Sequence, residues 1–149
     1  MTISEALRGV GTLFIDSAPV IYFVENHPRY FPLVKVVFEG LDNGLFIAVT
    51  SPIPLAECLV GSVRRGLDEL TQAFWDLLVH HHQVNFVPLD APVARSAAEL
   101  RARYNLTLPD AFQVAVALKA GCDALLTNDA IFKRVRELKV LLLDELEAD

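Results

Sequence analysis

Short apolar runs that lack a polar–apolar alternation constrain the fold of this chain more than any other feature. Strands of this kind are buried on both faces, which is typical of parallel sheets covered by helices on each side. Segments with helical spacing of apolar residues lie between the runs and supply the crossovers that parallel strands need. We therefore expect an α/β protein, and 149 residues suit a single domain, 1–149. The five runs are "TLFID" (12–16), "LFIAVTS" (45–51), "VNFVPL" (84–89), "DALLTND" (123–129) and "KVLLLD" (139–144).

Capping residues predict where the helices begin and end. Asp16 or Ser17 caps the helix after the first strand, with Pro19 in its first turn. Asp90 caps a later helix, and Gly121 ends the one before "DALLTND". The predicted helices are "SAPVIYFVEN" (17–26), "PRYFPLVKVVFEGLDNG" (28–44), "PIPLAECLVGSVRRG" (52–66), "LDELTQAFWDLLVHHH" (67–82), "DAPVARSAAELRARYN" (90–105), "LPDAFQVAVALKAG" (108–121) and "AIFKRVREL" (130–138).

The charge and the apolar pattern exclude several classes of protein. A net charge of −6 argues against nucleic-acid binding through bulk positive charge. It does not exclude a nuclease whose carboxylates surround metal ions, because the ions reverse the local field. No apolar run reaches the ~18 residues of a spanning helix, and "MTISEALRGVG" lacks the basic start and apolar core of a secretory signal. We therefore expect no membrane association and a cytoplasmic location.

Four of the 19 acidic residues stand alone in long uncharged stretches. Asp16 and Asp129 could simply cap helices that follow strands, and Asp110 suits the dipole of a first helical turn. Glu57 is harder to explain, because it lies inside a helix and the nearest basic residue, Arg64, is two turns or roughly 10 Å away. The uncharged stretches around the four acids are 12–24, 48–63, 106–118 and 124–132, in chain order.

Together the four acids predict a metal site. Two of them follow presumed parallel strands, one begins the helix that leads into "DALLTND", and one lies within two turns of "LFIAVTS". All four can therefore converge on one edge of the sheet, where ligands bind in such folds. Carboxylates in close proximity repel one another unless a cation lies between them, and hard oxygen ligands suit Mg²⁺ or Mn²⁺. Such ions activate water for phosphodiester hydrolysis.

Several segments taken together resemble the PIN-domain ribonucleases, in particular the VapC-type toxins of bacterial and archaeal toxin–antitoxin pairs. The matching segments are "FIDSAPVIYF", "SPIPLAECLVG", "LTLPDAFQVAVALKAGCDALLTND" and "AIFKRV", whose order and spacing match from about Thr12 to Leu143. The resemblance implies a Rossmann-like three-layer α/β/α sandwich with a central parallel sheet.

The resemblance also assigns roles to seven residues. It implies a catalytic cluster of carboxylates that holds Mg²⁺ or Mn²⁺, with supporting residues that hold a water or a carboxylate. The metal-binding and catalytic residues are Asp16, Glu57, Asp110 and Asp129, and the supporting residues are Ser17, Thr127 and Asn128.

The partners that the resemblance implies are an RNA substrate, a cognate antitoxin and a second copy of the chain in a homodimer. An aromatic group in the first two long helices could line a groove for an antitoxin segment, or could belong to the core of those helices. Four basic residues near the acids could contact RNA phosphates, although solubilising surface is the default for each. The aromatic group is Tyr22, Phe23, Tyr30 and Phe31, and the basic residues are Arg64, Arg65, Lys133 and Arg134.

The function that the sequence predicts is a metal-dependent endoribonuclease, the toxin of a toxin–antitoxin pair. The alternative is a non-catalytic PIN-like scaffold that binds RNA or protein. A metal-dependent phosphatase or a flap-type DNA nuclease on a similar fold is a third interpretation. The chain has no GxGxxG, GxxxxGK[ST] or GxSxG motif, which disfavours dinucleotide-binding, P-loop and serine-hydrolase functions.

Overall fold

The computed structural model describes all 149 residues and contains one parallel sheet. The strand order is β3-β2-β1-β4-β5, and every neighbouring pair is parallel. The predicted α/β architecture with a central parallel sheet is confirmed. The strands are β1 Thr12–Ile15, β2 Ile47–Thr50, β3 Val84–Phe86, β4 Ala124–Thr127 and β5 Lys139–Leu142.

Seven α-helices flank the sheet, and none of them is long and apolar enough to cross a membrane. Asp90 caps its helix as predicted, because its Oδ1 accepts a hydrogen bond from the Val93 N–H at 3.0 Å. The helices are α1 Ile3–Leu7, α2 Ser17–Val24, α3 Phe31–Asp42, α4 Pro52–Arg64, α5 Asp68–Trp75, α6 Ala91–Tyr104 and α7 Leu108–Lys119.

The structure differs from the predicted helices in three places. Helix α1 was not predicted: its five residues depend on a capping box between Thr2 and Glu5 and on burial of Ile3 and Ala6. The helix predicted over 67–82 changes at Asp76 to a π-helical turn that ends at His80. The helix predicted over 130–138 is only a 3₁₀ turn, Ala130–Arg134, and a second 3₁₀ turn covers Leu143–Glu145.

Alternating side chains of the strands divide the interior into two cores. Leu13 and Ile15 of β1 and Leu126 of β4 lie in the core shared with α1 to α5. Phe14 of β1 and Leu125 of β4 lie in the core shared with α6 and α7. Because successive side chains of a strand point to opposite faces, both faces of the sheet are covered. The result is the expected three-layer α/β/α sandwich.

The order in which the chain adds strands to the sheet changes side between β1 and β4. From β1 the chain builds outward through β2 and β3 on one side, and β4 and β5 complete the sheet on the other side. In open α/β sheets, ligands bind outside the carboxyl ends of the strands at such a switch point. The segment after β1 and the segment after β4 are therefore the first places to look for a functional site.

Candidate active site

Asp16 and Thr127 meet at the switch point. Ile15 of β1 is in register with Leu126 of β4, and the Asp16 N–H donates to the Leu126 carbonyl at 3.0 Å. One step further along both strands, the Thr127 Oγ1–H donates to Asp16 Oδ2 at 2.7 Å. Both side chains are buried, with 7% of Asp16 and none of Thr127 exposed. The Thr127 hydroxyl therefore fixes the Asp16 carboxylate, and its supporting role in a metal site stays a prediction.

Asp16 is a helix cap and a buried acid at once. Its Oδ1 accepts a hydrogen bond from the Ser17 N–H at 2.7 Å, where α2 begins. Burial raises the pKa of Asp16 above its ordinary value, and the hydrogen bonds from Thr127 and Ser17 oppose that shift. The negative charge of Asp129 adds to the increase. Asp16 can therefore cap α2 and belong to a cluster of acids at the same time.

Asp129 is joined to Asp16 through the same threonine. The Asp129 N–H donates to Thr127 Oγ1 at 3.0 Å. The Thr127 hydroxyl therefore accepts from the backbone of Asp129 and donates to the carboxylate of Asp16. The Asp129 side chain is exposed and caps the following 3₁₀ turn by accepting from the Ile131 N–H at 3.0 Å. The "TND" ending of β4 thus connects two of the four predicted acids.

Asp110 and Glu57 approach the same place from two helices that contact each other, α7 and α4. Burial raises the pKa of Asp110, and the charges of Asp16 and Asp129 raise it further. Although much of the Glu57 side chain faces solvent, partial burial of its carboxyl raises its pKa, as do the charges of Asp16 and Asp110. Glu57 therefore does not lie in the apolar environment that its neighbours in the sequence suggested; it is exposed, and its carboxyl is near enough to Asp16 and Asp110 for their charges to raise its pKa.

The donor set fits a hydrated divalent cation. The charge of Asp129 raises the pKa of Asp16 and Asp110, and the charges of Asp16 and Asp110 raise the pKa of Glu57, so each carboxylate lies within electrostatic range of at least one other. In the present side-chain arrangement, no three acidic, histidine or cysteine residues form a group that could hold a metal ion. Mg²⁺ keeps several waters and usually binds through one or two carboxylates, so it needs fewer direct ligands than four. Metal binding by all four residues stays a prediction.

The two other supporting residues have different surroundings. Ser17 Oγ lies 3.4 Å from Asp16 Oδ1, and its side chain lowers the pKa of Glu57 by hydrogen bonding. Asn128 faces away from the carboxylates: its Nδ2 donates to the Tyr22 hydroxyl at 3.4 Å and its Oδ1 accepts from the Asp144 N–H at 3.1 Å. Ser17 therefore links two acids, whereas Asn128 ties the end of β4 to its neighbours.

The predicted aromatic group packs inside the helical layer. The rings of Tyr22 and Tyr30 stack with centroids 4.5 Å apart, and the Tyr30 hydroxyl donates to Asp144 Oδ1 at 2.6 Å. Phe23 stacks on Phe31 at 5.9 Å, and all four aromatic residues belong to or pack against one core. The core interpretation therefore describes these residues better than the groove interpretation.

The four basic candidates differ in their partners. Arg65 pairs with Glu25 at 3.2 Å, and Lys133 pairs with Glu145. Arg134 donates to the Asn105 carbonyl at 3.0 Å, whereas Arg64 makes no ion pair. Contact of these residues with RNA stays a prediction, and Arg64 is the candidate whose guanidinium makes neither an ion pair nor a hydrogen bond within the protein.

Gln113 is a site residue that the sequence did not reveal. It lies one turn after Asp110 in α7, is only 1% exposed, and its side-chain amide lowers the pKa of Asp16 by hydrogen bonding. The available signal was its position: a polar residue three places after an acid, on the same helix face, within an apolar run.

Stability of the metal-free protein should fall as the pH rises above about 4. The pKa values of Asp16, Glu57 and Asp110 are raised in the folded state above unfolded values of about 4. Between the two sets of values the folded state binds more protons than the unfolded state, so the free energy of unfolding decreases with pH. Urea unfolding between pH 4 and 7.5 in a chelator measures this slope. A double variant with Asp16→Asn and Glu57→Gln should give a flatter profile, and equal slopes would contradict the prediction.

The sequence matches the model of one known protein family. The family model of the PIN domain matches residues 13–138. The sequence has no significant match among curated proteins.

Three solved structures illustrate the likeness of the fold. VapBC2 from Rickettsia felis, bound to a promoter DNA fragment, has a TM-score of 0.68 and 19% identity over 88% of this chain and 98% of its own. VapC20 from Mycobacterium tuberculosis, described as a sarcin-ricin loop cleaving toxin, has a TM-score of 0.64 and 18% identity over 76% and 86%. FitAcB from Neisseria gonorrhoeae has a TM-score of 0.66 and 19% identity over 90% and 99%.

At these identities the structural likeness establishes a shared fold, and the family model establishes the relationship in sequence. The predicted resemblance to PIN domains with VapC-like architecture is confirmed. The site at the switch point is the part of that fold in which this chain gathers its isolated acids. The protein belongs to the PIN domain family.

Proposed function

We propose that this protein is a metal-dependent endoribonuclease that hydrolyses RNA phosphodiester bonds. The observation that supports the proposal most directly is the electrostatic coupling of four isolated acids at the switch point of the sheet. The charge of Asp16 raises the pKa of both Glu57 and Asp110. Such repulsion between carboxylates does not stabilise a protein, so their proximity favours a function. Family membership and the described activity of VapC20 support the same conclusion.

Some residues of the site would bind the metal ion, and others would orient the carboxylates that bind it. Asp16, Glu57, Asp110 and Asp129 would hold Mg²⁺ or Mn²⁺, which when bound supplies an activated water and neutralises charge on the phosphate. The buried hydrogen bond from Thr127 restricts Asp16 to one orientation, so this carboxylate needs little rearrangement during the reaction. No serine or histidine nucleophile is required.

A second candidate function is a non-catalytic PIN-like scaffold for RNA or protein. The observation that favours it is that no three potential ligands form a group able to hold a metal ion as they stand. Titration calorimetry with Mn²⁺ separates the two functions. Heat of binding that saturates at or below millimolar Mn²⁺ supports the nuclease, and no binding at millimolar Mn²⁺ supports the scaffold.

We also propose that the protein is the toxin of a toxin–antitoxin pair, acting as a homodimer. The support is the shared fold with the toxin chains of described complexes, among them the toxin–antitoxin complex from Klebsiella pneumoniae at 19% identity. Co-purification with the product of the adjacent reading frame, followed by loss of RNA cleavage in the complex, tests the pairing. Light scattering of the purified chain tests the dimer, and a monomer without a binding neighbour would contradict both statements.

Cleavage of RNA should require a divalent cation. Purified protein should cut a mixed single-stranded RNA in Mg²⁺ or Mn²⁺ and should stop cutting when EDTA is added, because four clustered carboxylates repel the phosphate without an ion. Single-stranded DNA and a phosphomonoester serve as comparison substrates. Preference for either of them over RNA would move the assignment to a DNA nuclease or a phosphatase, and full activity in EDTA would overturn the metal requirement.

A further inference from the structure

Gln113 is a fully buried amide in an otherwise apolar helix face. It lies in α7 with 1% of its surface exposed, between Ala111 and Val114, which are completely buried. An apolar side chain of the same length, such as methionine, would fill this space without bringing polar atoms into the core. The choice of glutamine therefore needs an explanation other than packing.

Half of this amide has no hydrogen-bond partner. Only two buried side-chain polar atoms in the protein lack one, Gln113 Oε1 and Thr50 Oγ1. An unsatisfied buried polar atom destabilises a protein by about 1–3 kcal/mol. The Nε2 end of the amide is therefore the part of Gln113 that can act on a neighbouring group.

The other half of the amide, the Nε2 group, acts on Asp16: hydrogen bonding with the Gln113 side chain lowers the pKa of that residue. An ionised carboxylate only accepts hydrogen bonds, so the Gln113 Nε2 group must be the part directed at it and Oε1 the part directed away. The alternation along β1 places Asp16 on the sheet face covered by α6 and α7, which is the face that α7 and Gln113 occupy. The Thr127 hydroxyl and the Ser17 N–H each donate to the Asp16 carboxylate at 2.7 Å. Hydrogen bonding with the Gln113 side chain also lowers the pKa of Asp16.

We propose that Gln113 is a positioning residue whose side-chain Nε2 group holds the Asp16 carboxylate in the orientation that binds a divalent cation. The inference rests on the proposed metal-dependent function and deepens it by assigning a role to a residue beyond the acids and their neighbours. Gln113 does not bind the cation itself; it acts through Asp16. Groups that orient metal ligands in this way typically contribute 10–100-fold to metal affinity.

Mn²⁺ affinity of a Gln113→Met variant tests the proposal. Methionine keeps the length and the lack of branching of glutamine but removes both polar atoms. We expect the dissociation constant for Mn²⁺, measured by calorimetry, to rise about tenfold or more. Gln113→Leu is the second variant if Gln113→Met does not fold, as judged by circular dichroism. A dissociation constant within about twofold of the wild type would overturn the inference.

Thr50→Val is the matched control. It removes the other unpartnered buried polar atom with a side chain of the same shape. Val49 is in register with Phe14, so Thr50 follows beside Ile15 and lies on the sheet face opposite to Asp16. We expect Mn²⁺ affinity to stay within about twofold of the wild type in this variant. Equal losses of affinity in both variants would show a general effect of core changes and would overturn the specific role.

A second measurement needs no metal. Urea unfolding of Gln113→Met, Asp16→Ala and the double variant forms a double-mutant cycle in chelator. If the amide donates to Asp16, each single variant loses the same hydrogen bond to a charged group, and the double variant loses it only once. The change in the unfolding equilibrium constant of the double variant should then be about tenfold smaller than the product of the two single changes. Additive effects would contradict contact between the two side chains.

The outcomes distinguish this inference from the function on which it rests. Wild-type protein that binds Mn²⁺ and cleaves RNA, with unchanged affinity in Gln113→Met, would overturn the inference alone. Wild-type protein that neither binds Mn²⁺ nor cleaves RNA would overturn the proposed function and the metal role of Gln113 together.

Discussion

Replacing Asp16 or Asp110 with asparagine should reduce the rate of RNA cleavage by at least about 10³-fold. Asparagine has the shape of aspartate but carries no charge, so it removes the attraction for a cation at the same position. Asp16 is the more informative of the two, because Thr127 Oγ1 and the Ser17 N–H already fix its carboxylate. Cleavage of a labelled RNA by the purified variants in Mn²⁺ measures the effect.

The folded state should survive both substitutions. Burial raises the pKa of Asp16 and Asp110, so the protein does not depend on their negative charge for stability when no metal is bound. Asp68→Asn is the control, because Asp68 is an exposed acid at the start of α5 with no place at the switch point. It should cleave RNA at the wild-type rate. Full activity in both Asp16→Asn and Asp110→Asn would remove the basis of the nuclease proposal.

Replacing Thr127 with valine should weaken Mn²⁺ binding by about 10–100-fold. Valine keeps the β-branched shape but removes the hydroxyl that donates to Asp16 Oδ2 at 2.7 Å and accepts from the Asp129 N–H at 3.0 Å. One substitution therefore releases two of the acids. The free energy of unfolding should also fall by about 1–3 kcal/mol, because Thr127 is fully buried and its partners lose a hydrogen bond.

Thr71→Val gives the comparison for this second prediction. Thr71 in α5 donates to the Ser62 hydroxyl at 2.8 Å, so it too loses a side-chain hydrogen bond, but at a distance from the switch point. It should bind Mn²⁺ as the wild type does. Calorimetry for the metal and urea unfolding for the stability are the measurements. Wild-type Mn²⁺ affinity in Thr127→Val would show that the hydroxyl does not orient the carboxylates for a cation.

Much of the fold followed from local patterns. The apolar runs gave all five strands, because strands buried on both faces cannot alternate in polarity. Caps such as Asp90 set helix starts correctly, since a cap acts only on residues within one turn. Helix α1 and the π-helical turn from Asp76 did not follow from such patterns, because a five-residue helix and a change of helical pitch depend on contacts with distant residues.

The candidate site could also be predicted only in part. Isolation of Asp16, Glu57, Asp110 and Asp129 from other charges was visible along the chain, and strand ends in a parallel sheet share one edge by necessity. The sequence suggested an apolar environment for Glu57, yet its side chain is exposed and the charges of Asp16 and Asp110 raise its pKa, because the direction of a helix face depends on what the helix packs against. The proposed role of Gln113 likewise depends on the packing of α7 against the sheet, which the sequence does not show.

By itself, the sequence determined the layered α/β architecture and the identity of the acids, since burial and periodicity are properties of neighbouring residues. Only the tertiary structure decided which groups orient those acids. The Thr127 hydroxyl reaches Asp16 across 111 positions of chain, and the Gln113 side chain lowers the pKa of Asp16 from another helix. Hydrogen bonds act over about 3 Å, so their partners are set by strand register and helix packing rather than by distance along the sequence.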